Sequence, residues 1–177
     1  LCALASPGSI VEIDVPMRLP KHAIRSSLAI LLALLDHDTS LWISPAFDVD
    51  SIANFLRFHT GCKLEHTSSN ANFILCELNQ IDSFSIFSCG TDEAPDQSAT
   101  VVAHCVSFSS NKLGWILRGP GIKNERTLSV VGAPRNFLSN WALNHSFFPR
   151  GIDLFLCAGD QFVGLPRTTQ IYQNGVS

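Results

Sequence analysis

The spacing of apolar residues changes along this chain, and the order of those changes narrows the fold more than any composition figure. After a turn at Ser6-Pro7-Gly8-Ser9, Ile10 to Val15 alternates as a strand does. Ile24, Leu28, Leu31, Leu32 and Leu35 then recur at helical spacing, with Pro20 where a helix accepts its first proline. Leu41-Trp42-Ile43 is a short buried strand. Asp50 is placed to cap a second helix, whose Ile52, Phe55, Leu56 and His59 share one face before Thr60-Gly61 ends it. Phe73 to Leu78 reads as a strand, followed by a helical turn over Ile81 to Phe87.

Beyond that point the pattern becomes one of paired strands. Ala99 to Phe108 and Leu113 to Arg118 predict a hairpin across Ser109-Ser110-Asn111-Lys112. Thr127 to Val131 is extended, and Pro134 opens a helix through Phe137, Leu138, Trp141 and Leu143. Ile152 to Cys157 and Phe162 to Leu165 make a second hairpin about Ala158-Gly159-Asp160-Gln161. Early alternation of helix and strand with late antiparallel pairs predicts an α/β fold: a mixed sheet with helices packed on it, in one domain over residues 1–177.

Composition excludes several classes. A chain of 177 residues with 46% hydrophobic and 15% charged residues can bury a core and is not of the disordered type. A net charge of -3 offers no footprint for nucleic acid or an anionic membrane. The apolar run Leu28 to Leu35 is far shorter than the roughly 20 residues of a membrane span. A cytoplasmic setting follows as the default, and the six cysteines without a CxxC pair fit reduced thiols.

Catalytic signals are sparse. His104 and Cys105 are adjacent, so on a strand they point to opposite faces and do not share a metal. Asp36-His37-Asp38 reads as a solvated helix-to-strand turn. Cys62 is the one cysteine with an evident basic neighbour, Lys63, and after Gly61 it is expected in an exposed loop, where it reads as a surface thiol without a role rather than a mildly activated nucleophile. Lys21, Lys63, Lys112 and Lys123 lie in hydrophilic stretches, unlike a lysine activated by burial. In Leu117 to Arg126, Pro120 removes an amide donor between Gly119 and Gly121, and the following residues are extended. This favours an architectural turn over a phosphate cradle. Arg57, Arg118, Arg126, Arg150 and Arg167 end predicted elements, positions that suit anions, carbonyl capping or ion pairs alike.

Read together, several segments resemble one family. They are Ala5-Ser6-Pro7-Gly8, Leu35-Asp36, Arg57-Phe58-His59-Thr60-Gly61, Gly90-Thr91 through Ala99-Thr100, and Gly119-Pro120-Gly121-Ile122. At the C-terminal end they are Phe148-Pro149-Arg150-Gly151-Ile152-Asp153 and Leu165-Pro166-Arg167-Thr168-Thr169. The family is PhnH, the H subunit of the bacterial carbon-phosphorus lyase core complex. Ser98 departs from it, standing where glycine is common.

The resemblance implies an α-β-α sandwich similar to the large domain of pyridoxal-phosphate-dependent transferases, without their cofactor site and with no cofactor of its own. It also implies an N-terminal helix preceding Leu1. The implied function is in phosphonate utilisation, where the adenine of a nucleoside triphosphate is exchanged for a phosphonate on the ribose. The G, I and L proteins take part, the J subunit is the docking partner, and the isolated subunit is a homodimer. A scaffolding subunit needs no active site of its own. A subunit contributing a phosphonate or nucleotide site would place Arg57, His59, Arg118, Arg150 and Arg167 together. A free-standing hydrolase would pair Cys62 or His59 with a partner base or nucleophile.

Overall fold

A computed structural model describes residues 2–14, 16, 19–20, 23–111 and 114–174. Four strands have cores buried on both sides: β2 (Ser40–Ile43), β4 (Phe73–Glu77), β5 (Thr100–His104) and β9 (Asp153–Ala158). Strands that must hide both faces run parallel at the centre of a sheet, and these four do so in the order β9-β5-β4-β2. The two-residue β3 (Lys63–Leu64) joins β2 in parallel at one edge. At the other, β10 (Gln161–Leu165) and β1 (Ile10–Glu12) are added antiparallel, so the seven-stranded sheet is mixed.

Period-two alternation sorts the core into two faces. Leu75, Val102, Phe155 and Cys157 pack with α2 (Arg25–Leu34) and α3 (Val49–Thr60) through Leu28, Leu31, Ile52 and Leu56. Ile74, Cys76, Val101, Ala103, Leu154 and Leu156 face the opposite way. That face is covered by α4 (Phe137–Ser146) and by a second, four-stranded antiparallel sheet. Its strands are β6 (Ser107–Ser109), β7 (Trp115–Arg118), β8 (Arg126–Val131) and β11 (Gln170–Tyr172), in the order β11-β7-β8-β6. Trp115, Phe137, Trp141 and Phe84 stack or meet edge-on beneath it, at ring separations of 4.5 to 6.1 Å. A short helix, α1 (Cys2–Ala5), precedes β1.

Local chemistry moves several boundaries from their sequence-based positions. Pro20 does not open α2; Ile24 is the cap residue and Arg25 the first helical one. Asp48, not Asp50, caps α3 by accepting from Ser51 N–H at 3.3 Å, which leaves Asp50 in the first turn beside the helix dipole. Gly61 ends α3 in the left-handed conformation, as Thr60-Gly61 suggested. Pro134 stands three residues before α4, its carbonyl accepting from Phe137 N–H. Val15, Lys21, Lys112 and Leu113 lie outside the described residues.

The predicted hairpin between Ala99–Phe108 and Leu113–Arg118 does not form. Ala99 to Phe108 is two strands in two sheets, and β6 and β7 flank β8 on opposite sides. Periodicity within an apolar run does not reveal that its two halves pair with different partners. The hairpin that does form joins β7 to β8 through Gly119 to Glu125, the glycine-proline-glycine stretch. Gly121 has a φ of 82°, and a Cβ there would collide with the carbonyl oxygen of Ala5. The turn is therefore architectural: it packs against α1. Arg126 reinforces this seam by donating to Ser6 and Pro7 carbonyls and to Ser9 Oγ. The hairpin of β9 and β10 forms as predicted.

Candidate functional site

The C-terminal family-like segments meet at one corner. Downstream of α4 the chain passes Pro149 to Gly151 and enters β9 at Asp153, while Arg167 follows β10. Asp153 receives Arg167 three times: Nη2 to Oδ2 at 2.7 Å, Nε to Oδ1 at 3.2 Å, and the Arg167 backbone N–H to Oδ1 at 2.8 Å. The remaining guanidinium donors reach Pro95 O at 2.9 Å, Pro149 O at 3.3 Å and Ser98 Oγ. With its side chain 14% exposed, Arg167 is a neutralised and fully hydrogen-bonded cation that ties four segments together. Ser98 supplies one of those ties. Asn144 completes the corner by exchanging hydrogen bonds of 2.8 and 3.0 Å with the Ile152 backbone.

Arg150 is close by, with Nε 3.0 Å from Asp92 Oδ1 and the guanidinium over the Phe147 ring. Arg150 and Arg167 both act electrostatically on Cys89, yet burial outweighs them and pushes that thiol up. Arg118 lies at the end of β7, paired with Glu125 across the hairpin at 3.2 Å and stacked over Tyr172 at 5.8 Å. Arg57 and His59 occupy the last turn of α3, on the opposite face of the large sheet. His59 contacts the rings of Phe55 and Phe58 at 4.7 and 5.1 Å, and Phe58 is 85% exposed. A shallow depression beside Arg57 is lined by Asn54, Phe58, Gly61, Cys62, Lys63 and Leu64. The structure thus brings Arg150 and Arg167 near one another and sets Arg57 and His59 apart from them, at the end of α3 beside the edge strand β3.

Cys62 is not the exposed loop thiol expected: it is 3% exposed and packs beneath α3 and β2. Its backbone N–H donates to Thr60 Oγ1. Among the described residues no cysteine sulfur hydrogen-bonds a histidine, so the pairing a thiol hydrolase requires is not formed. Burial also pushes Cys105 up to about 12, and raises Cys76 and Cys157 as well. Among the described residues no group of three or more His, Cys, Asp and Glu could hold a metal. No helix among them is long and apolar enough to cross a membrane.

Sequence reasoning passed over a second constellation. Glu77 and His104 end the adjacent parallel strands β4 and β5 in register, so both side chains turn toward the α2 face. His104 Nε2 lies 2.8 Å from Ser27 Oγ in the first turn of α2, and Nδ1 lies 3.8 Å from Glu77 Oε1. The trio has the composition of a Ser-His-acid triad but not its geometry. Ser27 is 1% exposed, and its hydroxyl donates to Ile24 O at 2.9 Å, leaving no proton for the imidazole. Burial lowers the His104 pKa to about 4, so the ring is neutral near pH 7. The signal legible in the sequence was slight: one polar residue closing each of two apolar runs.

Residues 1–172 match the family described as bacterial phosphonate metabolism protein (PhnH). The chain belongs to the PhnH family. It is 38% identical over 168 residues, 94% of this chain and 84% of the relative, to the alpha-D-ribose 1-methylphosphonate 5-triphosphate synthase subunit PhnH of Rhizobium meliloti (strain 1021). It is also 37% identical over 86 residues to the HtxG protein of Stutzerimonas stutzeri, whose name places it among C-P lyase subunits. That match spans 49% of this chain and 44% of the relative. In this PhnH chain two of the family-like segments end up in opposite settings, one in the largely buried corner about Arg167 and one at the exposed helix end about Phe58.

Proposed function

We propose that the chain is a scaffolding subunit of a C-P lyase complex. It supports the coupling of a phosphonate to the ribose of a nucleoside triphosphate without supplying the catalytic groups. The observation that carries this reading is the match over 94% of the chain to a subunit of ribose 1-methylphosphonate 5-triphosphate synthase. The exhausted donors of Arg167 and the absence of a cysteine-histidine hydrogen bond among the described residues agree with it. Arg57 and His59 then serve an interface with Phe58, Arg118 and Arg150 serve surface ion pairs, and Arg167 holds the fold. The reading extends to one cytoplasmic domain that forms a homodimer alone, meets the J subunit in the complex, and acts with the G, I and L proteins. A fold similar to the large domain of pyridoxal-phosphate transferases belongs to the same reading.

Complementation tests it. The gene is supplied to a strain lacking its own H subunit, with methylphosphonate as the phosphorus source. Growth is expected from the unmodified chain and from Arg57→Ala and His59→Ala. No growth with the unmodified, folded chain overturns the reading. Loss of growth in either variant while the complex still copurifies would move these residues into a ligand site.

A further inference from the structure

The ends of β4 and β5 border a small cleft of about 120 Å³, lined by Ile24, Glu77, Asn79, His104, Cys105, Val106 and Gly132. The hydrogen bonds around it fix what it offers a ligand. Because Ser27 donates to Ile24 O, its oxygen must accept from His104, and Nε2 therefore carries the ring proton. Nδ1 is left as a bare acceptor facing the Glu77 carboxyl. Their separation of 3.8 Å is too long for a direct hydrogen bond. Among the described residues no arginine or lysine pairs with Glu77, and the Asn79 side chain makes no hydrogen bond. Two acceptors face each other without a donor, and Asn79 lines the same cleft.

We infer that this cleft binds a primary ammonium group carried on a short alkyl chain. An ammonium nitrogen placed about 2.9 Å from both Nδ1 and the carboxylate spans the gap. Its third N–H is left for the side chain of Asn79, which lines the same cleft and carries an amide oxygen able to accept it. The charge complements Glu77, while the neutral His104 accepts without repelling it. An anion finds no cation here among the described residues. Ile24 and Val106 supply an apolar wall for the alkyl part, and Val106 is 74% exposed, so the mouth opens to solvent. The volume equals that of about four liquid waters, enough for an ethylammonium-sized group. The site stands independently of the scaffolding role.

Ethylammonium chloride titrated into the intact protein, with the histidine ring resonances followed by NMR, tests the assignment. The His104 signal is identified by its loss in His104→Gln. For three non-hydrogen atoms, the ceiling on small-ligand affinity sets a Kd on the order of 1 mM or weaker. Saturable movement of the His104 signal is expected. Glu77→Gln, which keeps the shape and removes the charge from a partly exposed position, is expected to weaken binding at least tenfold. Glu125→Gln, on the β7–β8 hairpin, is expected to leave it unchanged. The proposal fails if no saturation is seen by about 100 mM, if folded Glu77→Gln binds equally well, or if ethanol, the neutral counterpart, binds as tightly as ethylammonium.

Discussion

The Arg167 corner and the C-terminal end of α3 both contain an arginine within a segment resembling the PhnH pattern, yet their environments are opposites. At the corner every guanidinium donor meets a protein acceptor and Asp153 cancels the charge. At the helix end Arg57, Phe58 and His59 are exposed, and the aromatic ring of Phe58 is almost fully in water. A largely buried, satisfied ion pair specifies how segments meet, whereas an exposed aromatic flanked by an arginine and a histidine is material for recognition. Similar sequence signatures therefore do not imply similar work.

Breaking the corner is expected to have the largest effect. Arg167→Ala leaves the largely buried Asp153 without its countercharge, holding only the backbone N–H of residue 167, and should lower the unfolding free energy by about 3 kcal/mol in urea titrations. Arg167→Lys should restore little, since one ammonium cannot serve acceptors spread over three segments. A loss below about 1 kcal/mol would erase the contrast with the helix end.

Acid should also act on the buried part of the molecule. The folded His104 pKa, lowered to about 4 by burial, lies below the ordinary value of 6.5. The unfolded chain thus binds the extra proton first. The stability that His104 contributes is complete above pH 6.5 and falls as pH drops toward 4, by up to about 3 kcal/mol. Glu77, whose carboxyl is raised by burial, binds its proton earlier in the folded state and opposes part of the loss. Stability-pH curves of the protein and of His104→Gln should diverge within this window; parallel curves would contradict the assignment.

Gly121→Ala is next in size, at about 2 kcal/mol, because the left-handed backbone and the Ala5 carbonyl both resist a Cβ. Chemical denaturation measures it, and a neutral result would remove the hairpin's seam with α1. Phe58→Asp sits at the other end of the scale. It should shift stability by less than about 0.5 kcal/mol and yet abolish copurification with partner subunits. A stability loss like that of Arg167→Ala would assign Phe58 to the fold instead.

What could be read from the sequence was whatever depends on near neighbours. The two apolar runs Ile152 to Cys157 and Phe162 to Leu165, split by a turn about Gly159, delivered β9 and β10, and Gly61 marked the end of α3. Partner choice was not legible. Ala99 to Phe108 looked like one arm of a hairpin because an apolar run does not show where its chain changes sheets. Cys62 looked exposed because it follows a helix-ending glycine, whereas its burial comes from packing among residues of α3 and β2. The Glu77-His104 pairing depended on two distant runs being parallel and in register, a relation fixed only by tertiary structure.

The passage from β5 to β6 has a further consequence. The backbone N–H of Cys105 donates to Cys157 O in the large sheet, and that of the next residue, Val106, donates to Val131 O in the small one. Two consecutive amides therefore belong to separate hydrogen-bond ladders. Their deuterium uptake would report the opening of each sheet from one dipeptide: equal protection means the sheets open as a single unit, and unequal protection means one yields first.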